Sequence, residues 1–287
     1  MLECAKALFQ EDTVSEASKA GEALLADIRS RRVPDAALGI WWLGQASFVV
    51  RGAGTTVYLD PYLSPSPRRL VPPLFQPEQV TDADLVLCTH DHSDHVDPGA
   101  LAGIAKASPR ARILVPGIAR DRLLRLGIAA ERLLVPPVDE LVTFGPLTVT
   151  AIPAAHEELD YTPDQGYPYL GYVLDLNGVR LYHSGDCTMY EGLTERLRVH
   201  RPDVAMLPIN GHDWRRTHRG TIGNMTYREA ADLAVEVGVD VTIPMHYGMF
   251  RGNTEPPGHF VDYVHEYYPE QKIHVMARYE GFVYLKP

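Results

Sequence analysis

A chain of 287 residues that is 45% hydrophobic is long enough for one large domain or two small ones. Its formal net charge of −10 argues against non-specific binding to nucleic acid or anionic lipid, which needs clustered Lys and Arg. No apolar run approaches the roughly 20 residues that span a bilayer, and acidic residues stand where a secretory signal would be apolar, so a cytoplasmic protein without stable membrane association is expected. Three cysteines without framework spacing, Cys4, Cys88 and Cys187, fit a reducing compartment.

Residues 13–32, TVSEASKAGEALLADIRSRR, read as a helix: Thr13 and Glu16 make a capping-box pattern, and Ala17, Leu24 and Ile28 give an apolar stripe. Residues 1–37 are therefore expected to form an N-terminal helical extension, and 38–287 one domain, since no repeat, low-complexity tract or linker divides them. Strands follow at LGIWWLGQASFVV, at TTVYLDPYL across the turn RGAG, and at DLVLCTH. RILVP and RLLVPP flank a helix-like ARDRLLRLG, and LVTF and LTVTAIPAAH come next. YLGYVLDL and VRLYHSGD are joined by Asn177-Gly178, a dipeptide suited to a type I′ turn. The last third alternates VAMLPIN, the capping-box helix TYREAADLAVEVG (Thr226, Glu229), VTIPMHYG, FVDYVHEYY and KIHVMARYEGFVYL. This alternation suggests an α/β fold with sheets packed inside helical layers.

Residues 88–97, CTHDHSDHVD, follow the strand DLVL. A loop leaving a strand frees His90, His92, Asp94 and His95 to converge, and imidazole with carboxylate suits first-row divalent metals. His156, Asp186 and His246 each close another apolar run. Seven groups are too many for one tetrahedral ion and suit two ions sharing a bridge. His183, His200, His259, His265 and His274 stand alone and read as hydrogen-bonded residues. Cys187, beside Asp186, reads as a small buried residue.

THDHSDH, a lone His156, SGD at Asp186 and His246 after an apolar strand together resemble the metallo-β-lactamase superfamily over residues 38–287. WWLGQASFVVRGAGTTVYLDPYLSP, SGD followed by PDVAMLPING, and NMTYREAADLA look like the branch containing L-ascorbate-6-phosphate lactonase and related cytoplasmic hydrolases. The resemblance implies an αββα four-layer sandwich. It implies His90, His92 and His156 as ligands of a first metal, Asp94, His95 and His246 as ligands of a second, and Asp186 as the bridge. The ions implied are two manganese or zinc per chain, holding a hydroxide that opens a small anionic lactone such as a sugar-phosphate lactone. Asp94 would also orient the nucleophile, and Asp60 would brace the HxHxDH loop by accepting from a ligand histidine.

PINGHDWRRTHRG, residues 208–220, is the candidate recognition stretch. Asn210 and His212 leave a strand beside the ligands and could polarise a carbonyl or protonate a leaving oxygen. Arg215, Arg216, His218 and Arg219 form a basic patch suited to phosphate or carboxylate, although the same stretch reads equally as a solvated loop. Tyr161, with Tyr167 and Tyr169, could line a lid or simply pack. The expected partners are a small anionic substrate and, as a homo-oligomer, further copies of the chain. The competing functions are a phosphodiesterase of the same fold and a non-catalytic metal-dependent binding protein.

Overall fold

The computed structural model describes residues 20–287. Thr13, Glu16, Ala17 and Cys4 lie outside the described residues. Helix α1 occupies residues 20–30. Strands β1 (Ala37–Gly44), β2 (Ser47–Gly52), β3 (Thr55–Leu59) and β4 (Leu85–Leu87) follow, then helix α2 (Pro98–Ala107), β5 (Arg112–Leu114), α3 (Gly117–Arg125) and β6 (Leu133–Leu134). The second half holds β7 (Leu141–Phe144), β8 (Leu147–Pro153), β9 (Leu170–Leu176), β10 (Val179–His183), α4 (Leu193–His200), β11 (Val204–Pro208) and α5 (Trp214–His218). It closes with α6 (Tyr227–Val237), β12 (Val241–Met245), α7 (Pro257–Tyr267), β13 (Lys272–Ile273) and β14 (Gly281–Leu285).

The strands form two seven-stranded sheets, ordered β14-β1-β2-β3-β4-β5-β6 and β13-β12-β11-β10-β9-β8-β7. Both are mixed: β3 to β6 and β10 to β13 pair in parallel, and the remaining neighbours pair antiparallel. The two-residue period of a strand sorts side chains between two apolar layers. Leu38, Ile40, Trp42, Phe48, Val50, Val57 and Leu59 face the second sheet, while Trp41, Leu43, Val49 and Tyr58 face the helices on the outer side. Those helices supply Leu24, Leu25 and Ile28 from α1, Leu101 and Ile104 from α2, and Leu123 from α3. On the far side Leu197, Leu233, Phe260 and Val264 from α4, α6 and α7 cover the second sheet. The result is the αββα arrangement of the metallo-β-lactamase fold.

Two readings of the sequence need correction. LGIWWLGQASFVV is two strands, because Gly44 (φ 101°) and Gln45 (φ 54°) turn the chain back in the left-handed region. KIHVMARYEGFVYL is split between the sheets, β13 at the edge of one and β14 at the edge of the other. The turn at Asn177-Gly178 has φ 56° and 80°, as a type I′ turn requires. Among the described residues no helix is long and apolar enough to cross a membrane.

Candidate metal centre

Parallel alignment of β10, β11 and β12 sends their C-terminal ends to one edge, and β8, two antiparallel steps from β10, ends there too. His156 follows β8, Asp186 follows β10 and His246 follows β12. Opposite them the loop after β4 delivers His90, His92, Asp94 and His95. That loop is folded by bonds from the amides of His95 and Val96 to the His92 carbonyl. Asp91, between the first two histidines, points away and pairs with Arg122 at 2.7 Å.

The approach of the two sheets at this edge is close. A Cβ on Gly185 would lie 2.7 Å from the Thr89 Cβ, so the glycine before Asp186, at φ +61°, allows the second sheet to press against the histidine loop.

Seven side chains converge in two groups, His90, His92, His156 and Asp186, and Asp94, His95 and His246, with the ligand atoms of each group within 4.8 Å of one another. Asp186 stands between them: Oδ2 lies 3.1 Å from His246 Nε2 and 3.9 Å from both His90 Nε2 and His156 Nε2, and Oδ1 lies 3.3 Å from His95 Nε2. His90 Nε2 and His92 Nδ1 are 2.9 Å apart.

Five imidazoles and two carboxylates suit divalent first-row ions, and two central atoms fit that donor set: His95 Nε2 and Asp186 Oδ1 are buried without a hydrogen-bond partner. Burial, reinforced by His95, holds His90 well below the ordinary histidine range, and burial pushes His156 down to about 4. Both are thereby kept neutral, the form that ligates. Burial opposes charge on His95 too, but the carboxylates of Asp186, Asp60 and Asp94 outweigh it and raise that pKa. Burial likewise opposes ionisation of Asp186, and His246 and His95 outweigh it, so Asp186 stays ionised.

Asp60 is fully buried, accepts from the Thr89 amide and hydroxyl at 2.7 Å each, and lies 2.7 Å from His95 Nδ1, leaving Nε2 for the centre. Cys187 is buried, with its thiol pushed up to about 12 by burial and its Sγ donating to the Thr188 carbonyl. His183 is buried and hydrogen-bonded to the Ala46 carbonyl at 2.8 Å.

A cavity of about 720 Å³ opens over His92, Asp94, His156, Asp186 and His246, and its walls include Arg68, Arg69, Phe250 and Arg251. Several residues expected here stand elsewhere. Asn210 is fully buried and donates to Asn253 Oδ1 at 2.8 Å, so it is a structural amide. His212 faces Glu229 at 3.3 Å, drawn there by the carboxylate that caps α6. Tyr161 is 59% exposed and packs on Tyr167, and His218 stacks on Trp214; neither borders the cavity. Arg215, Arg216 and Arg219 line an adjoining cavity instead.

Residues not singled out in the sequence take part. The Gln45 amide donates to Asp94 Oδ2 at 3.1 Å and sits 2.8 Å from His246 Nε2, while its carbonyl accepts from the His246 amide at 3.1 Å. Arg69 stacks on Tyr62 and donates to the Tyr62 and Val71 carbonyls, which fixes the loop that presents Arg68. Their signals were a polar residue inside the apolar LGQAS stretch and an Arg pair in the loop SPSPRRL just after Asp60.

Layered sheets with a His/Asp cluster at one shared edge define a metallo-hydrolase class, and the comparisons agree. A family profile described as "Beta-lactamase superfamily domain" matches residues 55–247. A UPF0173 metal-dependent hydrolase of Thermococcus kodakarensis is 32% identical, covering 75% of this chain and 85% of the relative. One from Methanopyrus kandleri is 31% identical, covering 79% and 91%. The fold is shared with a metallo hydrolase from Ignicoccus hospitalis, at TM-score 0.67 and 22% identity over 86% of this chain and 98% of that one. The chain belongs to the β-lactamase superfamily and, within it, to the UPF0173 family of metal-dependent hydrolases.

Proposed function

We propose that this protein opens a small anionic lactone at the His/Asp cluster, where His90, His92, His156 and Asp186, and Asp94, His95 and His246, would hold two divalent ions, manganese or zinc, with Asp186 facing both groups. The observation that carries the reading is the convergence of seven ligand-type side chains beneath one cavity, five of them lining it, with Asp186 within 3.9 Å of four of the histidines. Ions bound there would supply the Lewis acidity and the activated water that hydrolysis near neutral pH needs.

The chain's own residues do the rest. Asp186, kept ionised by His246 and His95, provides the fixed negative charge between the two groups. Asp94 borders the cavity with its Oδ2 held by Gln45, so its carboxylate is placed to orient a water and hold its proton. Arg68 and Arg251 on the cavity wall supply cations for an anionic substrate in a protein that is otherwise acidic. The likeness of WWLGQASFVV and PDVAMLPING to the ascorbate-phosphate lactonase branch supports a lactone as the reacting group.

The test is turnover of a lactone panel beside bis(p-nitrophenyl) phosphate, before and after chelation. Lactone opening that chelation abolishes, that manganese or zinc restores and that His92→Ala lacks is the expected result. Phosphodiester cleavage with no lactone opened would replace this reading by the phosphodiesterase one. Full biological activity of His92→Ala would favour a non-catalytic role.

A further inference from the structure

Beside the metal cavity lies a second one of about 560 Å³, and the two share a wall made of Thr221, Arg251 and Asn253. Arg215, Arg216 and Arg219 border this second cavity and not the first. Its charge is unbalanced. Asp213 is the one acidic residue lining it, and that carboxylate is committed to Arg216, whose guanidinium also donates to the Asn210 carbonyl. Among the described residues, Arg215, Arg219 and Arg251 have no ion pair.

The shared wall is also organised from beneath. Asn224 donates to Asn210 Oδ1 at 3.1 Å, and Asn210 donates to Asn253 Oδ1 at 2.8 Å. This buried relay occupies the Asn253 carbonyl oxygen and leaves its N–H groups for a ligand. Three uncompensated guanidiniums repel one another, and together with the amide donor they offer no acceptor. They match a dianion with several acceptor oxygens better than a monoanionic carboxylate.

We infer that the cavity bordered by Arg215, Arg219 and Arg251 is a phosphate subsite continuous with the metal cavity. The substrate class is then an elongated molecule whose phosphate group sits at these arginines while its hydrolysable bond lies over the His/Asp cluster. Arg251, common to both cavities, marks where the two parts of the substrate join. Placing the hydrolysable bond rests on the lactonase reading; the phosphate subsite does not.

The experiment is calorimetric titration of inorganic phosphate, with acetate as the carboxylate probe, into the full-length protein freed of metal. Binding needs no turnover, so failure of the hydrolase reading leaves the result interpretable. The expected outcome is saturable phosphate binding, stronger than acetate, that weakens by about tenfold or more in the Arg215→Gln/Arg219→Gln double variant. A double variant with the same loss of charge on the first sheet's helical side, Arg110→Gln/Arg125→Gln, should bind as the parent does. Equal loss in that control, undiminished binding by Arg215→Gln/Arg219→Gln, acetate binding as tightly as phosphate, or no saturable binding by the parent would each overturn the inference.

Discussion

Asp60 sits in the left-handed region at φ 42°, fully buried, and its two oxygens serve Thr89 twice and His95 once. A ligating imidazole needs one nitrogen bare and the other protonated, and a carboxylate on Nδ1 enforces that tautomer. Asp60→Asn keeps the size but places an amide N–H among groups that must themselves donate. Metal affinity should fall by roughly 10 to 100-fold, read by competition with a chromogenic chelator; affinity equal to the parent's would show that Asp60 only shapes the loop. At this scale the candidate cluster was legible because its chemistry is compressed: His90, His92 and His95 with Asp94, three imidazoles and a carboxylate within six residues, suit little but a metal ion. Gln45 and Arg68 carried only faint signals, and Arg251 carried none. Each is an ordinary polar residue in sequence and reaches the cavity only because a hairpin turn or loop brings it there.

The helix α2 shows how an element can hold a loop in place. Asp97 caps it, with Oδ1 accepting from the Gly99 and Ala100 amides at 3.0 and 3.1 Å. The same carboxylate accepts from the Leu63 and Ser64 amides and the Ser64 hydroxyl, so it ties the end of the histidine loop to the segment after Asp60. Asp97→Ala would orphan several donors around a residue only 2% exposed. The expected loss is about 3 to 5 kcal/mol, a lost cap plus buried unpaired amides, measured by urea unfolding. A loss under about 1 kcal/mol would mean that water replaces the carboxylate. The signal was present in the sequence as Asp before Pro98, a capping residue ahead of proline at the first helical position. The cap of α6 is written in the sequence as Thr226 and Glu229, which make a reciprocal box. The break inside LGQASFVV is hidden in the sequence because β-branched and aromatic residues continue on both sides of a turn that Gly44 and Gln45 make.

Across the whole molecule the centre is a seam, with four candidate ligands hung from the first sheet and three from the second. The sandwich was legible from the alternation of apolar runs, whereas the register that brings their ends together depends on pairings remote in sequence, such as β4 with β5 and β11 with β12. Without metal, the seam buries imidazoles that water would otherwise protonate. His156 is held at about 4 against an ordinary value of about 6.5, and burial lowers His90 and His183 as well. Between those two pH values the unfolded chain binds more protons than the folded one, so stability rises with pH across the window and falls as the medium is acidified. His156 alone accounts for roughly 3 kcal/mol from about pH 6.5 to about pH 4. His95 has the opposite sign, but its contribution is complete below its ordinary pKa and is lost only as pH rises through the raised one. Asp186, held low, contributes stability that disappears only on acidification below the ordinary carboxylate range. The metal-free protein should therefore lose stability steadily from pH 6.5 towards pH 4 in urea unfolding, and His156→Gln should flatten that slope. Stability that stays level or increases over this interval would mean that these histidines are already protonated in the folded chain, and that His90 and His156 are not held in the neutral form that ligates.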